Sequence, residues 1–249
     1  MRLRLLTAVL SLGLCGGTAF AQGQYRPVEP IKLPLDGNGV WTLHFAYTPP
    51  RMLVVDTKAG RKTVWYMVYQ VWNKSDTSLP FRPEFELVTK DGQLRAYLDE
   101  PYPGPVADAI RKVEDPTGEL KLKTTTGITE AMIPVTNADS VPRAVYGVAI
   151  WVDAPAKSAE TNNFSVYVTG LSNGNARQER AGGAESVSRK TLQIDFNRPT
   201  DAVRAGPNDI RASDNSGLGS EKWVYRVVPA DKAVIPGETQ PGVQKDVPK

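Results

Sequence analysis

Glu84 and Glu86 stand two residues apart in a segment where Phe81, Pro83, Phe85 and Leu87 alternate with Arg82, Glu84 and Glu86. Period-two geometry projects both carboxylates from one strand face, about 7 Å apart, a separation compatible with acid–base hydrolysis of a glycoside with inversion. Two acids on the solvent side of an edge strand also serve solubility and edge protection. A pair without a pocket is no mechanism, so no catalytic residue is assigned. Nucleophilic chemistry has less to draw on, because the chain holds one histidine, His44, and one cysteine, Cys15. No G-x-S-x-G elbow accompanies them, and His44 reads as an exposed or satisfied strand histidine. Zinc would want three or four nitrogen, sulfur or carboxylate ligands at recognisable spacing. Calcium needs only oxygens, which Asp36-Gly37-Asn38-Gly39 and Asp214-Asn215-Ser216-Gly217 could supply; neither has the spacing of a calcium loop, and both read as turns. Gly217-Leu218-Gly219 lacks the third glycine and the helix of a dinucleotide loop. No metal or other cofactor is expected.

One set of residues points to binding. Tyr66, Gln70 and Trp72 share a face of the strand Thr63–Trp72. If that face is open, flat rings beside an amide form a platform for a sugar ring or a partner's apolar patch. If it is covered, the same residues are core, the usual outcome for a strand that is apolar on both faces.

The elements that must position these groups are short strands. Trp41, Leu43, Phe45 and Tyr47 alternate with Thr42 and His44, and Pro49-Pro50 ends that strand. Met52–Asp56 is joined through Lys58-Ala59-Gly60-Arg61 to Thr63–Trp72, whose β-branched and aromatic side chains predict a central strand. Asn73-Lys74-Ser75-Asp76 is a turn. Phe81–Leu87 is a half-buried strand placed at an edge or bulge by Pro83, and Lys90-Asp91-Gly92 turns it into 93–98. Val106, Ala109, Ile110 and Val113, with Pro105 at the first position, predict one short helix. Strands are expected again at 120–125, 129–135, Ala144–Val152, Phe164–Val168, Thr191–Phe196 and Trp223–Val228, with Phe164–Val168 paired to Ala144–Val152. The segments 172–189 and 198–221 read as long loops.

This pattern predicts an all-β fold, an antiparallel immunoglobulin-like β-sandwich with one short helix and long loops. At the start, Arg2 and Arg4 precede the apolar run Leu5–Leu14, and Ala19-Phe20-Ala21 follows it. That is the form of a secretory signal peptide, 1–21, cleaved between Ala21 and Gln22. Leu14 before Cys15 does not suit lipoprotein processing, so a lipid-anchored form is not expected. Next come an extended segment 22–39 and a β-sandwich domain 40–228, which could divide into a core 40–172 and an extension 190–228. A tail, 229–249, has the composition of a disordered segment. The formal charge of +3 falls to about +1 without Arg2 and Arg4, which gives no footprint for nucleic acid. No later run approaches the ~20 apolar residues of a membrane span. Without a cysteine in the mature chain, stability must come from packing.

Val68-Tyr69-Gln70-Val71-Trp72-Asn73-Lys74-Ser75-Asp76, followed by Phe85-Glu86-Leu87-Val88 and Asp91-Gly92, resembles the telokin-like immunoglobulin-fold domains of bacterial secreted proteins and lipoproteins. Tyr146–Trp151, Tyr167–Gly174 and Lys190-Thr191-Leu192 look like segments of uncharacterised exported bacterial proteins. The resemblance implies an extracytoplasmic module with no catalytic residues to carry over. It also departs from antibody domains in lacking the inter-sheet cysteine pair. The expectation is an exported, non-catalytic protein that contacts another envelope or extracellular protein, or serves a structural role there. Carbohydrate binding through Tyr66, Gln70 and Trp72 is the first alternative, and a carboxylate-based glycoside hydrolase the second.

Overall fold

The computed structural model describes residues 25–91, 95–99, 104–137, 141, 143–152, 161–179, 185–198, 210–213 and 219–227. The segment expected to be a leader, with its Ala21–Gln22 junction, the segment Asp214–Gly217 expected to turn, and the expected tail 229–249 lie outside them. In chain order the elements are β1 (Arg26–Val28), β2 (His44–Tyr47), β3 (Arg51–Thr57), β4 (Gly60–Trp72), β5 (Glu84–Thr89), β6 (Ala96–Leu98) and α1 (Pro105–Glu114). There follow β7 (Lys123–Thr124), α2 (Thr125–Ile128), β8 (Val145–Val152), β9 (Asn163–Thr169), β10 (Asn175–Glu179), β11 (Glu185–Asn197), β12 (Arg211–Ala212) and β13 (Glu221–Val227). The fold is an all-β sandwich. One sheet runs β1-β2-β4-β8-β7, with β3 also on β4; the other runs β10-β11-β9-β5-β6, with β12 and β13 on β11.

Alternation builds the main core. Trp65, Met67, Tyr69 and Val71 of β4 face Phe85 and Leu87 of β5, Phe164, Val166 and Val168 of β9, and Leu192, Ile194 and Phe196 of β11. Rings interlock across the layers, with Trp65 edge-on to Phe164 at 5.2 Å and Tyr69 against Phe85 at 4.7 Å between centroids. Gly147 lies opposite Tyr69 in the β4–β8 ladder, and a Cβ there would fall 2.3 Å from the tyrosine ring. Only glycine leaves room for that side chain. The sandwich is tied at both margins. Tyr47 Oη donates to Glu221 Oε1 at 2.5 Å, where Arg26 also pairs, and on the other side Asp99 accepts from Ile150 N at 2.8 Å and from the Thr125 hydroxyl.

β4 is central, as its composition predicts, and the 58–61 connection and the Asn73 turn form where expected. Other expectations change. β8 pairs with β4 rather than with β9, which lies between β5 and β11 in the opposite sheet. The physical reason is that β8 is apolar on both faces and needs cover on both, whereas β9 alternates Phe164, Val166 and Val168 with Ser165, Tyr167 and Thr169. β5 is not an edge, since β6 flanks it, and Pro83 precedes its first ladder residue, where no N–H is needed. The strands expected at 120–125 and 129–135 shrink to β7, which runs parallel to β8, and isolated bridges at Ile133 and Val135. Between them Thr124 caps a second helix, α2. The segment 172–189 carries β10 and the start of β11, a hairpin whose polar residues hide it from a hydrophobic pattern. On α1 the buried residues are Val106, Ala107 and Ile110, while Val113 is exposed.

Candidate functional site

The three residues of the expected aromatic platform are not presented together. Tyr66 and Trp72 are six residues apart, about 20 Å along an extended strand, and different elements meet each end. Tyr66 is 2% exposed, in a second apolar cluster that α1 closes with Val106 and Ile110 over Val64, Val68, Val148 and Ile150. Its hydroxyl donates to Glu114 Oε1 at 2.7 Å, and Arg51 Nη1 meets both oxygens of that carboxylate at 2.7 Å. Burial, reinforced by the Glu114 charge, pushes the hydroxyl's pKa far above its ordinary value. Tyr66 is therefore a core residue. Gln70 lies beyond the helix and is half-buried, and Trp72 is 9% exposed with its ring stacked on His44 at 5.4 Å.

His44 opens onto a different feature. From Glu29 to Trp41 the chain is a strap that borders an open pocket of about 440 Å³, lined by Glu29, Lys32, Asn38, Thr42, His44 and Lys190 among others. The floor is an ion pair. Lys190 is 2% exposed and donates through Nζ to Asp36 Oδ2 and to the Ile31 carbonyl, each at 2.6 Å. Leu33 N donates to Asp36 Oδ2 at 3.0 Å and Tyr225 Oη to Oδ1 at 2.8 Å. Burial alone would raise the Asp36 carboxyl, but these bonds, Lys190 first, hold it below its usual range. Burial and then Asp36 push the Tyr225 hydroxyl up to about 12. Both oxygens of Asp36 are engaged with donors, one of them a cation, so this carboxylate is not arranged to ligate calcium. The segment 22–39, read as a lead-in, thus contributes β1 and this strap to the fold.

His44 is held neutral: burial, aided by Lys74, lowers its pKa, against an opposing pull from Glu29. Its Nδ1 is buried without a hydrogen-bond partner, 3.8 Å from Glu29 Oε2.

Glu84 and Glu86 project from the outer face of the second sheet. Glu86 pairs with Arg226, whose guanidinium lies 4.1 Å over the Tyr167 ring. Near them lies Asp195, whose side chain is 2% exposed. Its Oδ1 accepts from Lys90 Nζ at 2.8 Å, Ser165 Oγ at 2.6 Å and Gln193 Nε2 at 2.9 Å, and Oδ2 accepts from Lys222 Nζ at 3.0 Å. Burial pushes its pKa up, and these donors, led by Lys90, outweigh that and bring it to about 2. Among the described residues no three His, Cys, Asp or Glu side chains gather into a metal-sized group.

The sequence offers Asp36 only as part of a turn and marks neither its pairing with Lys190 nor the role of Asp195. For Lys190 a signal existed: it is in phase with Leu192, Ile194 and Phe196, the inward positions of β11. A lysine on that row must find a buried counter-charge.

No protein-family model matches the chain, and no curated protein or solved structure is significantly similar to it. The class its geometry defines is architectural: a two-sheet β-sandwich with a helix over one outer face and a polar pocket under an N-terminal strap.

Proposed function

We propose that this is an exported, non-catalytic, immunoglobulin-like module of the cell envelope that acts by surface contact with another protein. The observation that carries this reading is the use to which charge is put. Lys190 with Asp36, Asp195 with Lys90 and Lys222, Glu114 with Arg51, and Glu221 with Arg26 each tie one segment of the fold to another. Catalytic sites instead hold such groups poised against a reacting atom. The basic, apolar and A-x-A order of the first twenty-one residues supports export, and the telokin-like resemblance of 68–76 and 85–92 supports the immunoglobulin-like type.

Two measurements test it. Protein recovered from fractionated cells should begin at Gln22, and a photo-crosslinking residue at Val54 of β3 or Leu98 of β6 should yield a discrete adduct with another extracytoplasmic protein. A cytosolic chain with its leader intact overturns the export half. Polysaccharide turnover that disappears in Glu84→Gln or Glu86→Gln overturns the non-catalytic half.

A further inference from the structure

We propose that the pocket beneath the strap binds a neutral, polyhydroxylated ligand of mono- to disaccharide size. This goes beyond the protein-contact reading and does not depend on it. The volume of about 440 Å³ lies within the ordinary range for small-ligand sites. Charge selects the ligand class. At the floor Asp36 and Lys190 cancel each other, and the remaining charged groups of the lining, Glu29 and Lys32, are opposite in sign. An anion would find Glu29, and a cation would find Lys32, so neither is favoured.

What the lining does offer is hydrogen-bonding capacity. Glu29 has a carboxylate that is 77% exposed, and its Oε2 lies 3.8 Å from His44 Nδ1. Glu29 is an acceptor, Lys32 a donor and Asn38 both, which is the mixture that hydroxyl groups, each donor and acceptor at once, can satisfy. Pro30, Ile31 and Val40 add apolar surface for the C–H faces of a sugar ring. The rim from 33 to 40 is turn and coil, so it gives no strand ladder to an extended peptide. Trp72 backs the imidazole of His44 and fixes its plane. A ligand that draws Glu29 inward closes the gap to Nδ1, satisfying a buried atom that otherwise lacks a partner.

Because the chain has a single histidine, its imidazole resonances report on the pocket without ambiguity. Cellobiose, chitobiose and maltose, with their monosaccharides, are titrated at millimolar concentration against the full mature chain, followed by NMR of His44. A saturable shift with at least one of them is expected. Glu29→Gln and Asn38→Ala, both at exposed positions, should each weaken binding by about tenfold without changing the thermal melt. The proposal is overturned if no sugar shifts His44, if the shift survives both substitutions, or if phosphate or spermidine shifts it and the sugars do not. Cleavage of a bound disaccharide would uphold the site and overturn the non-catalytic reading instead.

Discussion

The outer face of β4 and the far end of β11 face one problem and solve it in opposite ways. Each carries inward or covered positions that no opposing sheet meets. Over β4 the cover is apolar: α1 lays Val106 and Ile110 on Val64, Tyr66 and Val68. Beyond Leu192 the inner row of β11 continues with Lys190, and the cover is a polar strap whose Asp36 neutralises it. The helix adds stability by removing apolar area from water. The strap, by contrast, gains little net energy from a buried ion pair, but it cannot leave without stranding a charge. Apolar cover is graded and tolerant; ionic cover is all-or-none and specific to one register.

The largest expected effect breaks the ionic side. Asp36→Ala leaves Lys190 buried without its counter-charge and should cost about 3–5 kcal/mol in chemical denaturation, whereas Asp36→Leu combined with Lys190→Met should recover most of that loss. If the single substitution costs no more than an exposed one, the strap is not anchored as described. On the apolar side, Ile110→Ala should cost about 2–5 kcal/mol through lost burial and a residual cavity, with no comparable rescue from a second site.

Asp195 provides a titration of the same idea. Its folded pKa of about 2 lies below the ~3.9 of an unfolded aspartate, so the unfolded chain binds the proton first as pH falls. The stability it lends is complete above about pH 4 and drains away toward pH 2. Denaturation midpoints across that window should fall less steeply in Asp195→Asn than in the parent. The smallest effect belongs to Tyr66→Phe, which removes the bond to Glu114 while Arg51 still holds that carboxylate. About 1 kcal/mol should disappear from the thermal melt. A loss of sugar or protein binding with unchanged stability would instead return Tyr66 to an exposed platform.

Legibility followed the range of the interactions. Val64 to Trp72 announces a central strand because the information lies within nine consecutive side chains, and Pro105 with Val106 and Ile110 announces α1 for the same reason. The pairing of β10 with β11 is hidden in a segment that reads as loop, since Asn175–Glu179 and Ser186–Arg189 are mostly polar and their order comes from ladder bonds that carry no compositional mark. The pairing of β8 with β4 is not legible in periodicity, which says how many faces of a strand need cover, not which strand lies alongside. Tyr66, Gln70 and Trp72 are recognisable as one face, and only the tertiary structure covers Tyr66 with α1 and Trp72 with the His44 ring while leaving Gln70 half-buried.

By itself, then, the order of residues settled the alternation that makes two sheets, the central place of β4, the short helix α1 and the main turns, all properties of segments about ten residues long. The tertiary structure alone decided that Asp36 meets Lys190, 154 positions further along the chain, that His44 and Glu29 wall a pocket, and that Lys90 and Lys222 converge on Asp195. Such pairings cost chain entropy to assemble, and only the accumulated burial of both apolar clusters offsets it.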